Sequence, residues 1–228
     1  MQIHNSQTKM KYFTFWLAGL CVLFFLLQLL IPTFTDSFVL NQQAFLQPWR
    51  FLSSIFLHGS LIHLVYNMFA LLMFGFILEK KIGSTKFLSL YLSTGIIANL
   101  IAVNFYFSSL GASGAIYGII GCLTILMPML TIWAFSLPMP LFLACIVWTI
   151  GDLIQTFVPS SNIGTIAHLS GLAVGILFGL FLRLKYKKEN STKNNKLNYF
   201  TIQSNYNNRK VELDENSMQS WENHHLKK

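Results

Sequence analysis

Residues 166–184 read I-A-H-L-S-G-L-A-V-G-I-L-F-G-L-F-L-R-L, nineteen positions whose only charge is Arg183, next to the end. A bilayer core is crossed by roughly 20 apolar helical residues, so this stretch is long enough to be a span. Gly171, Gly175 and Gly179 recur every four residues and therefore share one helix face. Small-residue stripes let two backbones approach closely in lipid, and a comparable stripe, Gly114, Gly118 and Gly121, occurs in residues 113–130. These two helices are expected to pack against each other. The remainder of the fold can be read outward from that pair.

Of the 228 residues, 54% are hydrophobic and 11% charged, with a mean hydropathy of +0.53. A soluble domain carries about 25% charged residues, so an ordinary soluble domain is excluded. Between Tyr12 and Leu184 the charges are Asp36, Arg50, Glu79, Lys80, Lys81, Lys86, Asp152 and Arg183, eight of the 24 in the chain. Six apolar segments are predicted to span, at 13–31, 61–78, 87–107, 113–130, 137–157 and 166–184. The expected fold is all-α, a polytopic membrane helix bundle with six transmembrane helices. It divides into a short amino-terminal segment (residues 1–11), a membrane domain (12–184) and a polar tail (185–228) without sustained periodicity, expected to be mostly disordered. The first segment is too long for a signal-peptide core and lacks an A-x-A site after it, so it is read as a span. Cys21, Cys122 and Cys145 are widely spaced in apolar runs, which suits packing rather than disulfides or zinc.

The net charge of +8 and pI near 9.5 raise nucleic acid as a partner. The basic residues flank apolar segments instead of forming a face with interleaved aromatics, so no nucleic acid is expected. They set topology. With the amino terminus in the cytoplasm, Arg50 is the only one of 16 Lys and Arg residues outside, and both termini of this multi-pass cell-membrane protein are cytoplasmic. The external loop, 32–60, is too apolar to float free. It is expected in the outer interface, with Trp49 as anchor and Arg50 paired with a lipid headgroup or a carbonyl.

Polar side chains inside spans are costly and are where function is sought. In this threading, spans two, four and six all begin on the outer side, which brings His63 and Asn67, Ser113, and His168 to one leaflet. His63 and Asn67 are four apart on one helix face, as are Ser113 and Tyr117. A serine beside a histidine at a helix amino terminus suits nucleophilic acyl transfer, with His168 as base. The oxyanion would be held by the Ser113 N–H and the His63 or Asn67 side chain. No buried carboxylate is expected behind His168, so the arrangement is a dyad, with Tyr117 stacking on the ring. Taken singly, each of these residues also suits a helix-to-helix hydrogen bond or simple packing. Their joint placement favours chemistry. A three-histidine metal site at His58, His63 and His168 is the weaker reading, since no H-E-x-x-H accompanies it.

Five ordered motifs then carry a resemblance. W-R at Trp49 and Arg50, H-G-S-L-I-H-L-V-Y-N at 58–67, L-E-K-K-I-G at 78–83, G-A-S-G-A-I-Y-G at 111–118 and A-H-L-S-G-L-A-V-G at 167–175 resemble the rhomboid family of intramembrane serine proteases. The similarity runs from about 47 to 184 and fits the six-span prokaryotic form. It implies that Ser113 is the nucleophile and His168 the general base and acid. It further implies that His63 and Asn67 form the oxyanion hole with the Ser113 amide, and that Tyr117, Gly114 and His58 support the site. His58 and Glu79 match positions of structural use. No metal and no cofactor are implied. The partners implied are single-pass transmembrane substrates in the lipid bilayer, cut near the outer face.

Substrate access is expected between spans two and five, gated by Trp148. The segment 158–165, with Pro159, Ser160, Ser161 and Gly164, reads as a mobile cap. Asp152 is expected in the outer interface, solvated. Two other classes compete: a catalytically inactive rhomboid-like adaptor binding membrane helices, and a small transporter. The transporter's internal repeats or paired mid-membrane charges do not occur in the sequence.

Overall fold

A computed structural model describes residues 10–134, 136–157 and 164–191. The tail beyond 191, residues 1–9 and most of the expected cap, 158–163, lie outside the described residues. Six main helices follow in order: α1 (Phe13–Leu30), α2 (Leu61–Ile82), α3 (Ser84–Ala102), α4 (Ser113–Leu126), α5 (Leu141–Thr156) and α6 (Thr165–Ser191). The expectation of a helical polytopic membrane protein is borne out. Side chains such as Trp16, Leu30, Tyr66, Phe69 and Leu184 point outward from the helices, an apolar exterior suited to lipid and not to water.

The lengths differ from expectation. α1, α2, α3 and α6 are long and apolar enough to cross a membrane, whereas α4 has 14 residues and α5 has 16. The proline-rich stretch between them is the cause. Pro128 follows directly on the last turn of α4, and Pro138 and Pro140 precede α5, so neither helix can extend into the connection. That connection instead forms an antiparallel hairpin of β3 (Thr131–Ala134) with β4 (Leu137–Pro140). α3 likewise ends at Ala102, short of the predicted 107, with the Asn104 amide donating to the carbonyls of Leu100 and Ile101 at its end.

The loop ahead of α2 is folded. It contains a short helix (Phe34–Phe38), the strand β1 (Leu40–Asn41), a 3-10 turn (Gln42–Phe45) and a second short helix (Arg50–Ser53). β1 pairs with β2 (Ser108–Ser109), tying this loop to the connection between α3 and α4. Leu40, Ala44 and Phe51 pack with Ala98, Ala102, Val103 and Ala167 in a buried cluster. Of the two partners expected for Arg50, the carbonyl is the one found. Its Nη1 donates to the carbonyls of Asp36 and Val39, each at 2.8 Å, and its Nε donates to Gln47 Oε1 at 2.6 Å, with the side chain buried. Trp49 stays half exposed.

Glu79, fully buried near the end of α2, holds the opposite end of the bundle. Its carboxylate accepts from the N–H groups of Phe13 and Thr14, from the Thr14 hydroxyl and from the Ser84 hydroxyl. The first turn of α1 has free donors and a positive dipole end, so one carboxylate there links three helices. Gly83, at φ 87°, makes the tight reversal from α2 into α3. Glu79→Ala strands four donors, three of them buried, and is expected to destabilise the chain by about 3 kcal/mol or more, read as a lowered melting temperature in detergent.

The two glycine stripes meet as expected. A Cβ placed on Gly171 or Gly175 would collide with the carbonyl oxygen of Gly114 or Gly118, so α4 and α6 touch backbone to backbone. The three cysteines are buried free thiols.

Candidate active site

Ser113 is the first residue of α4, and no side chain caps that helix start. Its first-turn N–H groups are therefore free to meet a ligand. Just before it, Gly111 adopts φ 130°, and its N–H donates to the Ser54 carbonyl at 2.9 Å, anchoring the approach to the folded loop. A Cβ on Gly111 would lie 2.8 Å from His63 Cε1, 3.1 Å from His63 Nε2 and 3.9 Å from Ser113 Oγ. Only glycine suits this backbone and leaves the His63 imidazole its room.

His63 and Asn67 stand in the first two turns of α2, which begins under a cap: Ser60 Oγ accepts from the His63 N–H at 3.2 Å. Asn67 is buried, and one of its amide hydrogens goes to the His63 carbonyl at 2.9 Å. The amide has a second hydrogen to offer.

His168 lies in the first turn of α6. That turn is held by Tyr106, whose hydroxyl accepts from the Ile166 N–H at 3.0 Å, and by Thr165, whose hydroxyl meets that of Thr156 at 2.9 Å. The imidazole stacks on Tyr117 with ring centroids 4.4 Å apart and planes 8° from parallel. Its Nδ1 faces Asp152 Oδ1 at 3.3 Å.

His63, Asn67, Ser113, Tyr117, Trp148 and His168 all line one cavity of about 1130 Å³. Gly114 also borders it, at the point where α4 meets the Ala167 carbonyl of α6. The candidate nucleophile, base, oxyanion and stacking residues thus share one cavity. His58 stands behind them, with its ring 5.1 Å from that of His63 and edge-on to it. Gln28 of α1 clamps the His58 backbone, accepting from its N–H at 2.9 Å and donating to its carbonyl at 3.2 Å. Burial, reinforced by His63, pushes His58 down to about 4, so it is neutral near pH 7 and acts on His63 by packing and not by charge.

One expectation is overturned. The sequence reading has no carboxylate behind His168 and assigns Asp152 to the solvated interface. Asp152 is only 8% exposed and sits against the imidazole. The signal was available in the periodicity of α5: Leu141, Ala144, Cys145, Trp148 and Asp152 recur at helical spacing on one face, the face that packs inward. An acid in phase with a buried stripe belongs to the interior.

The family model described as a rhomboid domain matches residues 46–185. Among similar proteins, a rhomboid protease GlpG of Haemophilus influenzae is 31% identical over 184 residues, covering 77% of this chain and 92% of that protein. A mitochondrial rhomboid protein 1 of Saccharomyces cerevisiae is 31% identical over 151 residues. A mitochondrial RHOMBOID-like protein 6 of Arabidopsis thaliana is 31% identical over 147. The chain spans 43% and 45% of those two longer proteins, and about three fifths of its own length is covered in each.

Proposed function

Because the chain belongs to the rhomboid family of intramembrane proteases, we propose that it is a serine endopeptidase. Its substrates are single-pass membrane proteins, cut in or next to their transmembrane segments near the outer face of the cell membrane. The observation that carries this reading is the shared cavity of Ser113 and His168, with the serine at a free helix start and the histidine ring held from two sides. Nδ1 is engaged by Asp152, which leaves Nε2 with a lone pair to take the Ser113 proton as Oγ attacks the scissile carbonyl. The oxyanion is met by the Ser113 N–H, the His63 ring and the second Asn67 hydrogen, with the positive end of the α4 dipole adding to them. His168 then returns the proton to the leaving amine, and water releases the acyl group.

Water must reach this place in a membrane. α4 is about 21 Å long at 1.5 Å per residue, short of a bilayer core of about 30 Å, so its start can sit recessed below the surface with the cavity opening above it. The Lys and Arg crowded at the two ends of the chain support both termini in the cytoplasm. A helical substrate hides its carbonyls, so segments that unwind readily, with Gly or Pro, are preferred.

A substrate enters between α2 and α5. Phe74, in the π-helical turn Leu71–Gly75 of α2, meets Trp148 of α5 edge-to-face at 6.1 Å. Trp148→Ala removes that contact and is expected to raise the cleavage rate several-fold for a transmembrane substrate, with no gain on a soluble peptide. Unchanged rates on both would point to another route.

The test of the whole reading is covalent labelling of the detergent-solubilised chain by a fluorophosphonate. Labelling is expected in the wild type and lost in Ser113→Ala and in His168→Ala. A folded wild-type chain that takes no label would favour a helix-binding adaptor.

A further inference from the structure

The carboxylate behind His168 has no counterpart in the two-residue mechanism just described. Asp152 comes from α5, a different helix from any that supplies the serine, the histidine or the stacking tyrosine. Its Oδ1 lies 3.3 Å from His168 Nδ1, its side chain is 8% exposed, and Oδ2 is buried without a hydrogen-bond partner. An acid kept only for packing would be a poor choice in such a place. A buried carboxylate oxygen left unpaired is costly, and an apolar residue of similar size would be at least as stable. The cost is intelligible if the charge serves the imidazole.

We propose that Asp152 is a positioning residue for His168, holding the imidazole in the tautomer and orientation in which it works with Ser113 as the reacting pair. This rests on the assignment of Ser113 and His168 made above. A carboxylate oxygen opposite Nδ1 selects the tautomer with the proton on Nδ1, which is the one whose Nε2 can accept from Ser113. When the Ser113 proton passes to Nε2, the ring becomes an imidazolium and Asp152 balances the new charge at short range in a medium of low dielectric. Tyr117 stacks on one face of the ring, so the imidazole is fixed by one flat contact and one edge contact. The other titratable groups in this neighbourhood are the Tyr117 hydroxyl, which faces the Asp152 carboxylate, the Cys145 thiol and the His63 ring, and none of them is a carboxylate that could replace Asp152.

The test compares Asp152→Asn, Asp152→Glu and wild type in the full chain in detergent. The readouts are fluorophosphonate labelling, resolved into a maximal rate and a half-saturating concentration, and the melting temperature. Asn keeps the volume of Asp but loses the charge, and its amide can turn its donor toward Nδ1 and select the wrong tautomer. The expected result is a maximal labelling rate reduced about 10- to 1,000-fold, with half-saturation within about twofold and an unchanged melt. Asp152→Glu, which retains the charge one methylene further out, is expected to label faster than Asp152→Asn. A residue that merely packs would show the opposite order, with the near-isosteric Asn close to wild type and the bulkier Glu impaired. Wild-type labelling by Asp152→Asn would overturn the proposal. If Asp152→Asn melts early, the comparison with Glu decides: a charged variant no faster than the amide also overturns it. Failure here is separable from failure of the protease reading, because the latter appears as a folded wild type that takes no label or as label retained in Ser113→Ala, whereas failure here leaves both of those results as expected.

Discussion

Ser113→Ala is expected to lower cleavage of a single-pass substrate by about 10⁴-fold or more, while leaving the melting temperature within a few degrees of wild type. The substitution removes one oxygen from a cavity wall and leaves the helix start intact, so the structural consequence is small. The chemical consequence is large, because no other alcohol in α4 stands at the free N–H groups of the helix start beside His63. His168→Ala is expected to cost a similar factor. The double variant should be little worse than either single one, since nucleophile and base act as a unit. Residual activity above about 1% of wild type in Ser113→Ala would place the nucleophile elsewhere. The measurement is substrate cleavage in liposomes, with the melt followed in parallel.

Gly171→Val should act by a different route with an effect nearly as large. A side chain at position 171 would overlap the Gly114 carbonyl, and neither backbone can yield without moving a whole helix. Overpacking of this kind costs about 1–3 kcal/mol in ordinary cores, where flexible side chains can give way. Here the obstacle is main chain, so the upper end of that range is expected. Separating α4 from α6 also moves Ser113 away from His168, and a displacement of about 1 Å at reacting groups costs on the order of 100-fold in rate. The expected result is a lowered melt together with a drop in fluorophosphonate labelling of about that factor. Gly19→Val is the control, because nothing lies within 4 Å of a Cβ at that position of α1. Equal loss in both variants would argue that valine in any of these helices is harmful and that the backbone contact is not special.

Much of the site was legible because membrane helices limit the geometry. Once residues 61–78, 113–130 and 166–184 are read as helices that begin on the same side, His63, Ser113 and His168 share a level, and the paired glycine stripes decide which helices touch. The contact between Gly114 and Gly171 follows from that pairing. Asp152 was missed for a reason of the same kind. A charge near a predicted helix end was assigned to the interface by its depth, whereas its phase with Leu141, Cys145 and Trp148 assigns it to the interior. The lengths of α4 and α5 were overestimated because apolar composition continues through Pro128, Pro138 and Pro140, and hydropathy does not register that proline stops a helix. The alternatives left open for Arg50 were decided by the fold of the loop around it, which sets two carbonyls at its guanidinium.

By itself the sequence determined that this chain folds as helices in lipid, which helices carry polar groups and which faces are small enough to touch. Those are consequences of composition and of the 3.6-residue period, and both are local. Tertiary structure alone decided that the α5 acid meets the α6 imidazole, that Glu79 closes the start of α1, and that Gly111 leaves room for the His63 ring just before Ser113. Each of these joins residues from separate helices or loops, at distances set by how elements are tilted and recessed against one another. No local period encodes tilt or depth, so side-chain partnership across helices became visible only once the bundle was assembled.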